Sequence, residues 1–145
     1  MPSRFTLAAM NVVHRGLIAA SFGRWGWRLG STPVLELTTT GRRSGLPRST
    51  MLTSPLQLGD ALVVVASRGG DDQHPAWLLN LRANPEVQVA LEGRPAVTMR
   101  AREMTDDERA RHWPTITSTH PNYAAYQRRT DRVIPLVVLE PVVGG

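Results

Sequence analysis

Apolar positions along this chain recur either at two-residue spacing or in short β-branched runs, and both patterns predict strands. Six strands are expected, over residues 34–40, 50–58, 61–67, 87–91, 96–103 and 134–140. The run Ala61-Leu62-Val63-Val64-Val65-Ala66 has no polar face and reads as a buried central strand. Gly59-Asp60 turns into that strand, and Glu92-Gly93-Arg94-Pro95 gives a hairpin between the fourth and fifth. Three helices fall between or after the strands. One spans 75–82, with Pro75 in its first turn and Asn84-Pro85 as its stop. A second spans 105–118 and opens on the capping box Thr105-Asp106-Asp107-Glu108, with Pro114 expected to kink it. A third spans 122–129, after His120-Pro121. The pattern is mainly β, of the α+β class: a small β-barrel with helices on its outside.

The N-terminal part differs. Phe5, Ala9, Val12, Val13, Gly16 and Ala20 share one face of an amphipathic helix over 5–22. Trp and Arg then alternate in Gly23-Arg24-Trp25-Gly26-Trp27-Arg28, an interfacial signature. Residues 1–30 are therefore read as a separate segment, a lid over a pocket or, through 5–28, a peripheral membrane contact. Residues 31–145 form the barrel domain. The apolar stretch 7–22 is broken by His14-Arg15, too short for a span, which leaves a cytoplasmic protein as the expectation, membrane-associated if that helix touches lipid.

Composition narrows the chemistry. The 145 residues contain no cysteine, which excludes disulfides, thiol nucleophiles and Cys-ligated metal. All 17 basic residues are Arg, and the net charge is +5. Before Asp60 the only acid is Glu36, so positive charge concentrates early in the chain. Planar guanidinium suits phosphate and carboxylate. Arg at glycine turns, rather than along one exposed face, argues against nucleic acid. The four histidines have no metal-ligand spacing, and no metal is expected.

Four segments can carry chemistry. In Gly41–Arg48 the glycines permit a tight turn, Arg42, Arg43 and Arg48 supply cations, and Thr40, Ser44 and Ser49 supply hydroxyls. This is an anion site or a solvated hairpin turn. Ser67-Arg68-Gly69-Gly70 joins a hydroxyl, a guanidinium and free backbone N–H groups at a strand end. Ala76, Trp77 and Asn80 lie at a helix start, where anions are favoured, with Trp77 either walling an aromatic ring or packing in the core. Tyr123 and Tyr126, the only tyrosines, share one helical face and can donate to an oxygen on which charge develops. No P-loop, G-x-S-x-G or G-x-G-x-x-G occurs, so a bound cofactor would supply the reactivity.

Taken in order, L-T-T-T-G-R-R-S-G-x-P-R, V-V-V-A-S-R-G-G, H-P-A-W-x-x-N-L-x-A-N-P and Y-x-x-Y-Q-x-R-T-D-R-x-I-P resemble the deazaflavin (F420)-dependent nitroreductase family of actinobacteria, over 35–141. The resemblance implies a split β-barrel like that of FMN-binding pyridoxamine-phosphate oxidases. It implies coenzyme F420, an 8-hydroxy-5-deazaflavin with an anionic tail, and FMN is the alternative cofactor. By the same analogy Arg42, Arg43, Ser44, Arg48, Ser49, Arg68, Ser67, Gly69, Gly70, Ala76, Trp77 and Asn80 bind that cofactor. Ser67, Tyr123 and Tyr126 face the acceptor. The implied reaction is hydride transfer from reduced deazaflavin to a quinone, enone or nitroaromatic, and the alternative is a protein that binds F420 without turnover. The relatives are monomers or homodimers. Many carry Lys where this chain has Arg43 and Arg68, and nitro-reducing relatives carry aromatics where it has Leu78 and Thr53.

Overall fold

The computed structural model describes residues 28–29 and 32–142; the helix expected over 5–22 and most of the Trp/Arg segment lie outside them. Eight strands form one antiparallel sheet: β1 Arg28–Leu29, β2 Thr32–Thr40, β3 Pro47–Thr53, β4 Leu56–Leu58, β5 Ala61–Val65, β6 Glu86–Ala90, β7 Val97–Glu103 and β8 Leu136–Pro141. A single 3-10 turn, Arg68–Gly70, follows β5. The helices among the described residues are α1 Ala76–Ala83, α2 Asp106–Thr119 and α3 Pro121–Arg128. The helices fall within two residues of their expected ends.

The strands correct the sequence reading most at the second expected strand. The strand expected over 50–58 is two, broken at Ser54-Pro55. Pro55 cannot donate to a ladder, and Ser54 spends its polar groups on two different strands. Its N–H donates to Pro33 O on β2 at 2.9 Å, and its hydroxyl donates to Val63 O on β5 at 2.7 Å. This break closes the sheet. The strand order runs β2-β6-β7-β8-β5-β4, with β3 on the other side of β2. The strands at the two ends, β3 and β4, are consecutive in sequence, so the sheet must curl until its ends approach, with Ser54 pinning the seam. β1 was not expected. The strand expected over 61–67 ends at Val65, where the chain enters the 3-10 turn.

Two cores flank β5. Leu62 and Val64 point into the barrel with Leu35, Leu37, Val87, Val89, Val137 and Leu139, and Leu78 and Leu81 of α1 plug it. Val63 and Val65 point outward, onto Ile116 of α2, Tyr123 of α3 and Ile134. Both faces of β5 are thus covered, which is why it reads as an unbroken apolar run.

The capping box of α2 is fully formed, Thr105 N–H donating to Glu108 Oε1 at 2.9 Å and Glu108 N–H to Thr105 Oγ1 at 3.2 Å. Arg102 donates to both carboxylate oxygens of Glu108, and it holds that carboxyl at about 2, well below the ordinary 4.5. A carboxyl with a depressed folded pKa stabilises the fold above its unfolded value, and that contribution is lost as pH falls through the folded value. Glu108→Gln should therefore cost about 1 kcal/mol near neutral pH. Wild type and variant should converge below the ordinary carboxyl range, toward about pH 2. Urea titrations of both proteins across that range check this; a constant gap at every pH would contradict it.

Candidate functional site

Two adjoining cavities open beside the start of α1. The smaller, about 490 Å³, is lined by the β2–β3 turn and α1. The larger, about 920 Å³, is lined by β3, the 3-10 turn, the start of α1 and one face of α3. Arg42, Thr50, Ala76 and Trp77 belong to both, so the two are one groove.

The smaller cavity is the cationic end. The turn closes through Gly41 N–H to Leu46 O and Gly45 N–H to Gly41 O, both at 2.8 Å. Arg42, Arg43, Ser44, Arg48 and Ser49 all line this cavity. Asn80 anchors the turn from below. It is buried; its Oδ1 accepts from the Arg42 N–H at 3.1 Å and from Arg42 Nη1 at 3.3 Å, and its amide donates to Thr39 Oγ1 at 3.1 Å. Arg43 and Arg48 form no ion pair among the described residues. The helix α1 starts at Ala76 with no acid in its first turn, so its free N–H groups add to the positive potential at the junction of the cavities.

Ser67 lines the larger cavity and is only 8% exposed, yet its hydroxyl has no partner among the described residues. Buried polar atoms are nearly always satisfied by protein or water, so this hydroxyl is available to a ligand that enters the cavity. The backbone here is shaped for anions or carbonyls too. Ser67 is right-handed and Arg68 left-handed (φ 45°), an arrangement that gathers successive N–H groups into a concave nest. Trp77 lines the groove and also packs against the barrel core. Tyr123 and Tyr126 line the far side, edge-on to each other with ring centroids 6.0 Å apart, and the Tyr123 hydroxyl lies 3.3 Å from Thr53 Oγ1.

Of the residues that the resemblance assigns to the cofactor or the acceptor, Gly70 alone lines neither cavity, and Thr40 of the Arg-rich turn lines neither as well. Gly70 is buried against the backbone of Tyr126, where a Cβ would lie 2.7 Å from Tyr126 O. The sequence reading also missed residues. Thr50, Met51 and Leu52 of β3 form a wall of the larger cavity; their alternation marks a strand but not which face a groove would meet. His74 lines the same cavity, within the quoted H-P-A-W run. Thr53 appears there, whereas Leu78 is fully buried in the barrel core and cannot shape the cavity.

A barrel closed by a pinned seam, with an Arg-lined groove along it, defines a split-barrel cofactor-binding protein. Residues 13–141 match the model of the F420H(2)-dependent quinone reductase family, and the chain belongs to that family. It is 41% identical over 130 residues to F420H(2)-dependent quinone reductase Rv1261c of Mycobacterium tuberculosis, covering 88% of this chain and 87% of that one. A solved F420-H2 dependent reductase, FDR-A, is 38% identical, with a TM-score of 0.65 over 74% of this chain and 94% of its own. For the fold alone, a structure described as a pyridoxamine 5'-phosphate oxidase from Listeria innocua superposes with a TM-score of 0.51 at 14% identity, over 93% of each chain. The split barrel, the oxidoreductase class and coenzyme F420 are thus as the motifs led one to expect, and the acceptor in the family's name is a quinone. No helix among the described residues is long and apolar enough to cross a membrane.

Proposed function

We infer that the groove holds F420 along its length and a quinone in the wider cavity. The observation that carries this reading is the convergence on one groove of the unpaired Arg43 and Arg48, the N-terminus of α1 and the buried Ser67, whose hydroxyl has no protein partner among the described residues. Arg42, Arg43 and Arg48 would hold the anionic tail, with Ser44 and Ser49 beside them. Ala76 and Trp77 would wall the ring system, and the Ser67–Gly69 nest would take its polar edge. Asn80 acts indirectly, by fixing Arg42.

When bound in its reduced form, F420 supplies the hydride. The chain's own residues position and polarise. Ser67 donates to an acceptor oxygen, and the Tyr123 and Tyr126 phenols border the space where that oxygen gains charge. The apolar wall of Met51, Leu52 and Leu79 suits a flat, largely apolar quinone better than a charged substrate.

Tryptophan fluorescence titrated with F420 and, separately, FMN tests the cofactor, followed by turnover of reduced F420 with menadione. Wild type should bind F420 more tightly than FMN. Ser67→Ala should keep F420 affinity within about threefold and lower kcat/KM for menadione roughly tenfold or more. Unchanged menadione turnover in Ser67→Ala would remove Ser67 from the acceptor site.

A further inference from the structure

Arg132 lies in the segment between α3 and β8, and its guanidinium bonds residues about sixty positions earlier in the chain. Its guanidinium wraps the loop that follows β5. Nε donates to Asp71 O at 2.7 Å, Nη2 to Ser67 O at 2.8 Å, and Nη1 to Ala66 O at 3.2 Å. Nη1 also lies 3.0 Å from Nδ1 of His74. A guanidinium has five N–H donors and no acceptor. The His74 Nδ1 must therefore be the acceptor, and its lone pair is committed. The single ring proton then sits on Nε2, and the ring is neutral.

The surroundings keep it so. Burial is the largest influence lowering the His74 pKa from its ordinary value; the charges of Arg132 and then Arg82 push the same way, and Glu103 opposes them. Protonating Nδ1 would also set an N–H against the guanidinium that now donates to it. His74 lines the larger cavity, and its Nε2 has no partner among the described residues. A neutral imidazole gives up its proton only with great difficulty, but it donates a strong hydrogen bond.

We propose that His74 donates an Nε2–H hydrogen bond to a carbonyl oxygen of the ligand in the larger cavity, and that Arg132 is the positioning residue that locks this tautomer. The proposal rests on the reading that this cavity takes the deazaflavin and the quinone. Both have ring carbonyls, and the experiment separates them. No proton leaves His74 in this role; it polarises a carbonyl while Ser67, fixed by the same guanidinium through its own carbonyl, contributes a second donor.

The tautomer is read first, by ¹⁵N NMR of the histidine side chains in ligand-free protein near neutral pH. The expected result is a neutral His74 protonated on Nε2. A proton on Nδ1 overturns the proposal. Three variants then test function. Gln carries one acceptor and one donor that can serve the Arg132 side and the cavity side; Phe carries neither. His74→Gln should lose several-fold less than His74→Phe in whichever measurement His74→Phe reduces. His74→Phe should lose roughly ten- to a hundredfold in one of two measurements. Loss in the F420 dissociation constant, measured without turnover, places the carbonyl on the cofactor. Loss in kcat/KM for menadione with F420 affinity unchanged places it on the quinone. A folded His74→Phe with both values intact overturns the proposal, as does equal loss in His74→Gln, the mark of a merely structural role. Arg132→Met should release the tautomer, giving mixed Nδ1 and Nε2 signals; if it fails to fold, the His74 pair still decides. Wild type that binds neither F420 nor menadione fails the cavity reading itself, even where NMR shows the Nε2–H form.

Discussion

Gly70→Ala should lower the unfolding free energy by about 3 kcal/mol, while Gly69→Ala, one residue away, should lower it by about 1 kcal/mol. Both glycines are left-handed, at φ 87° and 65°. Each therefore pays a backbone cost on gaining a Cβ. They differ in what that Cβ meets. At Gly69 nothing lies within 4 Å. At Gly70 the Cβ would sit 2.7 Å from Tyr126 O, 3.0 Å from Tyr126 Cα and 3.1 Å from Arg129 Cβ. Two of those atoms belong to Tyr126 of α3, its backbone O and Cα, so no side-chain rotation relieves the clash and the helix itself must move. α3 carries Tyr123 and Tyr126 into the larger cavity. Gly70→Ala should therefore also raise the KM for menadione, whereas Gly69→Ala should act only through the nest it lines. Urea unfolding of the two variants side by side measures the difference. Equal losses would mean that the turn and α3 are less tightly packed than this.

The same dipeptide shows what the sequence could and could not tell. Ser-Arg-Gly-Gly at a strand end announces a turn with free N–H groups, and that much follows from local chemistry. Which glycine faces the groove and which faces protein depends on α3, more than fifty residues later in the chain. Spacing alone carries no such information. The strands were legible wherever one or both faces are buried, because burial imposes alternation or an unbroken apolar run; β5 is the clearest case. The break at Ser54 was hidden because a serine in a strand-like run looks like any outward polar residue until its partners on β2 and β5 are known. The Arg-rich turn was legible for the opposite reason, since charge density needs no tertiary context to be seen. Arg132 was not, although it lies inside a quoted motif. Three of its partners are backbone carbonyls, which leave no mark on residue type, and the fourth is His74.

Among the groove's cations, Arg42 should dominate F420 binding. Arg42→Met should weaken it roughly ten- to a hundredfold, the range of a charge-assisted hydrogen bond lost from a prepared site. Arg43→Met and Arg48→Met should each weaken it by about fivefold or less, as exposed ion pairs do. All three side chains reach solvent, so exposure does not separate them. Organisation does. Arg42 is tied to Asn80 through both its backbone N–H and its Nη1, and it stands where the two cavities join. Arg43 and Arg48 have no such tether among the described residues, so each loses side-chain freedom on meeting an anion. Two controls follow. Raising salt from about 50 to about 300 mM should reduce the Arg43 and Arg48 contributions more than that of Arg42, because screening acts most on loosely held exposed charges. Asn80→Leu should retain all three guanidiniums yet lose a large part of the Arg42 effect, since the turn and the side chain would both be released. Asn80 is buried, so folding of that variant is checked by near-UV circular dichroism before titration. A folded Asn80→Leu with wild-type F420 affinity would show that charge alone, and not its placement, sets the strength of this site.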